Sequence, residues 1–164
     1  MHKRKPHRLA KFSAGSSQSD YSWDTIAWFQ WAEHTYSASQ ALFGEENPFL
    51  WFGAAVLSHQ SLEMFLKAIL IGTGHRAVPG GAWGHDLLAL AKKVEKSGIQ
   101  LPIELAEQLR VFNGFFNELR YPTALNKVSG LGGFEHGVLL ESIATILRPH
   151  AELAARKTQV RGKQ

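Results

Sequence analysis

The spacing of apolar residues along the chain predicts helices. Between Trp23 and Phe43, apolar side chains recur at three- and four-residue intervals, which is the repeat of an amphipathic helix. Asp20 or Ser22 is suited to cap the start of this helix, and Gly44 is suited to end it. A first helix is therefore expected over about 23–43.

The next segment, residues 49–71, is apolar on nearly every side. Its few polar residues are Ser58, His59, Gln60, Ser61, Glu63 and Lys67. A helix that is apolar around most of its circumference belongs at the centre of a bundle. Because the apolar run is limited in length and interrupted by charge, the segment is predicted to be a core helix and not a membrane span.

Three further helices are predicted downstream, each bounded by a glycine or a proline. The third begins at His85-Asp86 and ends at Gly98, the fourth opens at Pro102 and ends before Pro122, and the fifth runs from about Phe134 to Ala155. No segment shows the alternation of a β-strand with β-branched enrichment. The pattern predicts an all-α fold, an up-and-down bundle of four to five helices.

Charge is distributed unevenly along the 164 residues, whose formal net charge is +4. The first twelve residues hold five Lys or Arg and no acid, and the last nine hold four and no acid. All 14 acids lie in between, with only nine Lys or Arg, so the central region carries −5. This distribution excludes a uniformly basic nucleic-acid-binding domain, and the length fits a single domain.

Three regions follow from these patterns. Residues 1–19 are basic and rich in Ser and Gly, which predicts a disordered arm. Residues 20–155 form the helical bundle, and residues 156–164 form a basic tail. The arm has no apolar stretch after its basic residues, so it is not a secretory signal.

Composition removes several classes of chemistry. The absence of cysteine excludes disulfides, a thiolate nucleophile and a Cys-containing zinc site, and it is compatible with the cytoplasmic location that we predict. The eight histidines show no metal-ligand spacing, and the glycines at 130–133 lack a following Gly-Lys-Ser/Thr. The sequence therefore predicts neither a metal nor a cofactor.

One polar stripe stands out on the second helix. His59, Glu63 and Lys67 are four residues apart, so they share one face of an otherwise apolar helix. Glu63 precedes Lys67 in the favourable orientation for an ion pair. The stripe is either the solvent-facing side of this helix or a partly buried polar network, and the spacing alone fits both.

Two other motifs allow both a structural and a functional interpretation. Asp86 can cap the third helix, or the N–H groups at that helix end can hold a phosphate together with His85. Arg120 is favoured electrostatically at the end of the fourth helix. Alternatively, Arg120 supplies a guanidinium for phosphate and Tyr121 a ring for base stacking.

Taken in order, these motifs resemble the HEPN family. The resemblance rests on Ser-His-Gln-Ser-Leu-Glu-Met-Phe-Leu-Lys-Ala-Ile-Leu at 58–70, Gly-His-Asp-Leu at 84–87 and Leu-Arg-Tyr-Pro at 119–122, and it spans roughly 23–155. It implies a helical bundle that commonly dimerises and binds a nucleotide or RNA. It also implies a separately encoded nucleotidyltransferase as a partner in a toxin–antitoxin system. On this basis, Lys67, His85 and Arg120 are predicted to bind a nucleotide or its phosphate, with Tyr121 stacking on the base. His59, Glu63 and Asp86 are predicted to support them as a polar network.

The chain departs from the catalytic members that it resembles. Those members carry an Arg followed four to six residues later by His, whereas Arg120 is followed at these distances by Ala124, Leu125 and Asn126. Without that imidazole, the motif offers no general base for a ribose 2′-hydroxyl. A binding module that is not an enzyme is thus the leading prediction. The alternatives are a metal-independent ribonuclease toxin with a degenerate motif and a dimerisation or assembly module without ligand.

Overall fold

The computed structural model describes residues 25–75, 84–119 and 132–161. Within these ranges the chain forms five α-helices and no strand: α1 (Thr25–Phe43), α2 (Pro48–Gly72), α3 (Leu87–Lys96), α4 (Leu105–Leu119) and α5 (Gly133–Arg161). The all-α prediction is therefore confirmed. The predictions for the basic arm, Arg120 and Tyr121 concern residues that lie outside the described ranges.

Helix α2 is the centre of the bundle and contacts each of the other four helices. Asn47 caps its start by accepting a hydrogen bond from the Phe49 N–H, and Pro48 occupies the first turn. After its end, Gly74 adopts a positive φ of 87°, a conformation that glycine adopts without strain.

The expectation that α2 is too short to cross a membrane was wrong, although its assignment to the core was right. With 25 residues it is long and apolar enough to span a bilayer, but 72% of its most apolar window is buried inside the bundle. Burial beneath the surrounding helices, and not its length, identifies α2 as a core helix.

Small residues let the neighbours of α2 approach it closely. Ser39 on α1 donates a hydrogen bond to the Ala54 carbonyl on α2 at 2.8 Å, and Ser61 on α2 donates to the Ala32 carbonyl on α1 at 3.0 Å. These bonds satisfy hydroxyl groups that are fully buried. Buried polar groups in the α1–α2 contact are therefore paired across the interface, as close packing requires.

Two predicted helix boundaries differ from the structure by three residues or more. Helix α4 begins at Leu105 after a turn closed by the Leu105 N–H and the Pro102 carbonyl. Helix α5 continues to Arg161, six residues past the predicted end, and passes through Pro149. Pro149 has no N–H for the Thr145 carbonyl, but both residues are exposed. Water can therefore satisfy the carbonyl, and the helix continues.

Candidate functional site

The polar stripe on α2 is buried. His59 is 1% exposed, Glu63 7% and Lys67 4%. Of the two interpretations that the spacing allows, the solvent-facing one is wrong, and the stripe is a buried polar network. Such groups persist in an apolar core only when each is paired with a partner.

Glu63 holds this network together through both carboxylate oxygens. Its Oε1 accepts a hydrogen bond from Lys67 Nζ at 2.5 Å, and its Oε2 lies 3.0 Å from Nδ1 of His85, which precedes α3. Lys67 Nζ also lies 5.2 Å from the centroid of the Trp28 ring on α1, at cation–π distance. We call the four residues His59, Glu63, Lys67 and His85 the Glu63 cluster.

His59 connects the cluster to the backbone before α3. Its Nε2 lies 2.9 Å from the His85 carbonyl oxygen. Since a carbonyl oxygen only accepts, Nε2 carries the hydrogen, and Nδ1 faces Glu63 Oε2 at 3.9 Å. Burial lowers the pKa of His59 below the usual 6.5, against the opposing effect of the Glu63 carboxylate. His59 is therefore a neutral support for the His85 backbone at neutral pH.

His85 is the member of the cluster that meets solvent. Its side chain is 42% exposed, compared with 9% for Glu63 and 6% for Lys67. A ligand that approaches from outside would contact the His85 imidazole first.

Asp86 has the structural role that its capping interpretation predicts. Its Oδ1 accepts hydrogen bonds from the Leu88 and Ala89 N–H groups at 2.9 and 3.1 Å, which makes it the N-cap of α3. No hydrogen bond among the described residues joins its side chain to Glu63.

Sequence reasoning missed Asn113. Its Oδ1, on α4, accepts a hydrogen bond from the Leu87 N–H at 2.8 Å. With the two N–H groups bound by Asp86, the first three donors of α3 are occupied, so this helix end presents His85 instead of backbone N–H groups. In the sequence, Asn113 is noticeable only as a polar residue directly after Phe112, which is buried in α4. Its bond to the Leu87 N–H is visible only in the structure.

The structure thus brings together Lys67, His85, His59 and Glu63, and it places Asp86 beside them as a helix cap. Arg120 and Tyr121 follow directly after the last residue of α4, Leu119, and lie outside the described residues. Within the described ranges, no group of three or more His, Asp or Glu residues is arranged to hold a metal ion.

Fold and site together define a small helical bundle with a buried acid–base cluster that reaches the surface through one imidazole. The family model of the HEPN domain matches residues 26–147, about three-quarters of the 164 residues. The chain therefore belongs to the HEPN family, which indicates a function related to nucleotides or RNA. HEPN domains are typically soluble, in agreement with the burial of α2. No curated protein and no solved structure matches the chain significantly.

Proposed function

We propose that this chain is a cytoplasmic HEPN module that binds the phosphate of a nucleotide or RNA beside the Glu63 cluster. His85 and Lys67 would act there together with Arg120 and Tyr121. The observation that carries the proposal is the convergence of Lys67 and His85 on one buried carboxylate, at 2.5 and 3.0 Å. Two cationic residue types from different parts of the chain thereby share one small region that opens to solvent at His85.

The charges of the cluster favour an anion only in combination. Glu63 alone would repel a phosphate, but the Lys67 ammonium neutralises it at close range. With Glu63 neutralised, the exposed His85 imidazole is the group of the cluster that would meet the phosphate. The guanidinium of Arg120 has the geometry for bidentate phosphate binding, and the Tyr121 ring suits base stacking.

Binding can be tested by fluorescence anisotropy with a labelled ATP analogue and a short single-stranded RNA. His85→Ala and Arg120→Ala should each weaken binding about tenfold, which corresponds to about 1.4 kcal/mol. Lys92→Ala, at an exposed position of α3, is the matched control and should bind like the wild type. Unchanged binding in both variants, or no binding by the wild type, would reject the proposal.

Lys67 requires a paired substitution. Lys67→Ala alone leaves the Glu63 carboxylate buried without its cation, so a loss of binding could reflect unfolding. The double variant Glu63→Gln/Lys67→Met removes both charges and keeps the side-chain sizes similar. If the double variant has a wild-type circular dichroism spectrum and binds more weakly, Lys67 has a role in binding. If it has that spectrum and binds normally, Lys67 has no such role.

RNA cleavage is a second candidate, favoured by the pairing of Glu63 with the half-exposed His85 imidazole. A carboxylate that orients a histidine is the arrangement that supports general-base catalysis. His85 would take the proton of a ribose 2′-hydroxyl, and the 2′-oxygen would attack the phosphorus. The bond from the phosphorus to the 5′-oxygen would break, and the 5′-oxygen would take up a proton from water. Labelled RNA should then yield 2′,3′-cyclic phosphate ends that disappear in His85→Ala. If the RNA stays intact while it is fully bound, the cleavage function is rejected and only the binding function remains.

We also propose a homodimer and a separately encoded nucleotidyltransferase partner. Large apolar side chains support an assembly role, because Phe49 is 82% exposed and Ile103 is 86% exposed. Light scattering should show a dimer. A monomer at every concentration would exclude self-assembly. A toxin should arrest growth when the chain is expressed, so normal growth would count against a toxin role.

A further inference from the structure

A groove separates the second half of α1 from the first half of α5. It encloses about 650 Å³ and is lined by Tyr36, Gln40 and Phe43 of α1 and by Phe134, Val138 and Glu141 of α5. No residue of the Glu63 cluster lines it. We call this feature the α1/α5 groove, and the phosphate-binding proposal does not use it.

The α1/α5 groove has both polar and apolar side chains in its lining. Gln40 Nε2 donates to the Tyr36 hydroxyl at 3.1 Å within α1, and it donates to the Gly137 carbonyl on α5 at 2.9 Å, which joins the two helices. Phe134 is 79% exposed and Val138 is 54% exposed. Side chains this large and this exposed indicate a surface that an apolar partner could cover.

The surroundings of the groove are acidic. Residues 25–47 and 132–147, which contain its two walls, together hold five Glu and no Lys or Arg. Glu33 is paired with Arg148, and the other four are exposed at Glu45, Glu46, Glu135 and Glu141. The groove therefore has exposed apolar side chains and Glu141 in its lining, with the other three glutamates close by in sequence, and this combination suits a partner that is both apolar and basic.

We propose that the chain's own N-terminal segment Arg8-Leu9-Ala10-Lys11-Phe12 binds in the α1/α5 groove. Leu9 and Phe12 would cover the exposed Phe134 and Val138 side chains, and Arg8 and Lys11 would face Glu141 and the glutamates near the groove. The complementarity extends beyond these five residues, because the first twelve residues hold five Lys or Arg and no acid.

The segment is long enough to reach the groove within one molecule. Helix α1 starts at Thr25, whose hydroxyl lies 3.2 Å from that of Thr158 near the end of α5. At 1.5 Å per helical residue, Gln40 lies roughly 22 Å along α1 from Thr25. The twelve residues between Phe12 and Thr25 span up to about 40 Å when extended. Because Arg8 and Lys11 contribute to the contact through their charge, salt or a polyanion such as RNA should release the segment.

Disulfide trapping tests this contact, because the chain contains no cysteine. Ser13→Cys is combined either with Val138→Cys in the groove or with Leu153→Cys as the control. Both α5 positions are apolar and similarly exposed, at 54% and 51%. Leu153 lies closer along α5 than Val138 to Thr158, which lies beside Thr25 at the start of α1. An N-terminal segment that does not bind would therefore reach Leu153 more often than Val138. We expect the 13–138 disulfide to form roughly tenfold faster than the 13–153 disulfide, because binding in the groove raises the effective concentration of residue 13 near position 138.

Charge reversal provides a second, independent test of the contact. Arg8→Glu/Lys11→Glu changes only the N-terminal segment and should abolish the preference for position 138, as should high salt. If Val138→Cys does not fold, Glu141→Cys replaces it as the groove position. Equal or faster trapping at Leu153, a preference that survives charge reversal, or disulfide-linked dimers in place of an internal bond would overturn the proposal.

Discussion

Two ion pairs in this protein have nearly the same geometry and very different surroundings. Lys67–Glu63 on α2 and Arg110–Glu107 on α4 each join residues about one helical turn apart, with N–O distances of 2.5 and 2.6 Å. The side chains of the first pair are 6% and 9% exposed, and those of the second are 61% and 73% exposed. If one partner of the α4 pair is removed, water can solvate the charge that remains. If one partner of the α2 pair is removed, the remaining charge is buried away from water. Burial, and not distance, therefore decides what each pair contributes.

The largest effect is expected when the cation of each pair is removed separately. Lys67→Met should lower the free energy of unfolding by about 3–5 kcal/mol, because it removes the ammonium that pairs with the buried Glu63 carboxylate. Arg110→Met should change it by no more than about 0.5 kcal/mol. Urea unfolding of both variants measures the difference. Similar losses in the two variants would contradict the interpretation that burial decides.

Removing both buried charges should restore much of this loss. Glu63→Leu/Lys67→Met replaces the pair with apolar side chains of similar volume, a change that is often neutral for buried ion pairs. We expect the double variant to be more stable than Lys67→Met by about 2 kcal/mol or more. The matched Glu107→Leu/Arg110→Met should differ little from Arg110→Met. A double variant on α2 that is no more stable than Lys67→Met would show that the cluster contributes more than charge compensation.

A smaller effect is expected from pH. Burial lowers the pKa of His59 in the folded protein below its ordinary value of 6.5, so the unfolded chain binds this proton more readily. The free energy of unfolding should therefore fall as pH drops below 6.5, by at most about 1.4 kcal/mol per pH unit from this group. Urea unfolding between pH 7 and pH 5 measures this slope, and His59→Gln should reduce it. An undiminished slope in His59→Gln would assign the acid sensitivity to other groups.

The smallest effect concerns the two N-caps. Asp86 accepts two backbone hydrogen bonds beside the Glu63 cluster, whereas Asn47 accepts one at the exposed start of α2. Asp86→Ala should lower the free energy of unfolding by about 1 kcal/mol, and Asn47→Ala by about 0.5 kcal/mol. Thermal unfolding of both variants checks the order. The reverse order would mean that the number and burial of the capped N–H groups do not determine the loss.

The helices were predictable because their signals are local. Periodic apolar residues indicated all five, and the capping role of Asp86 was among the interpretations that its position allowed. The boundary errors have local causes as well. The turn after Pro102 delays α4, and α5 continues past Ala155 because its exposed face tolerates both Pro149 and polar residues.

The partners of the α2 stripe were less predictable. Four-residue spacing places His59, Glu63 and Lys67 on one face but does not reveal what covers that face. His85 covers part of it, and it lies 22 residues after Glu63 in the chain. Asn113 bonds to Leu87 across 26 residues. Such pairs depend on how the helices pack, which periodicity does not specify.

The amino-acid sequence by itself determined the all-α class, the central position of α2 and the concentration of positive charge at both ends, because each depends on composition or on short-range spacing. Its motifs also pointed to the HEPN family, which the family match over residues 26–147 confirms. Only the tertiary structure decided that the α2 stripe is buried, that Glu63 joins Lys67 to His85, and that a groove lined by Glu141 and apolar side chains lies between α1 and α5. These features arise where distant segments meet, and burial turns an ordinary helical ion pair into one that we expect to be costly to break by removing Lys67 alone.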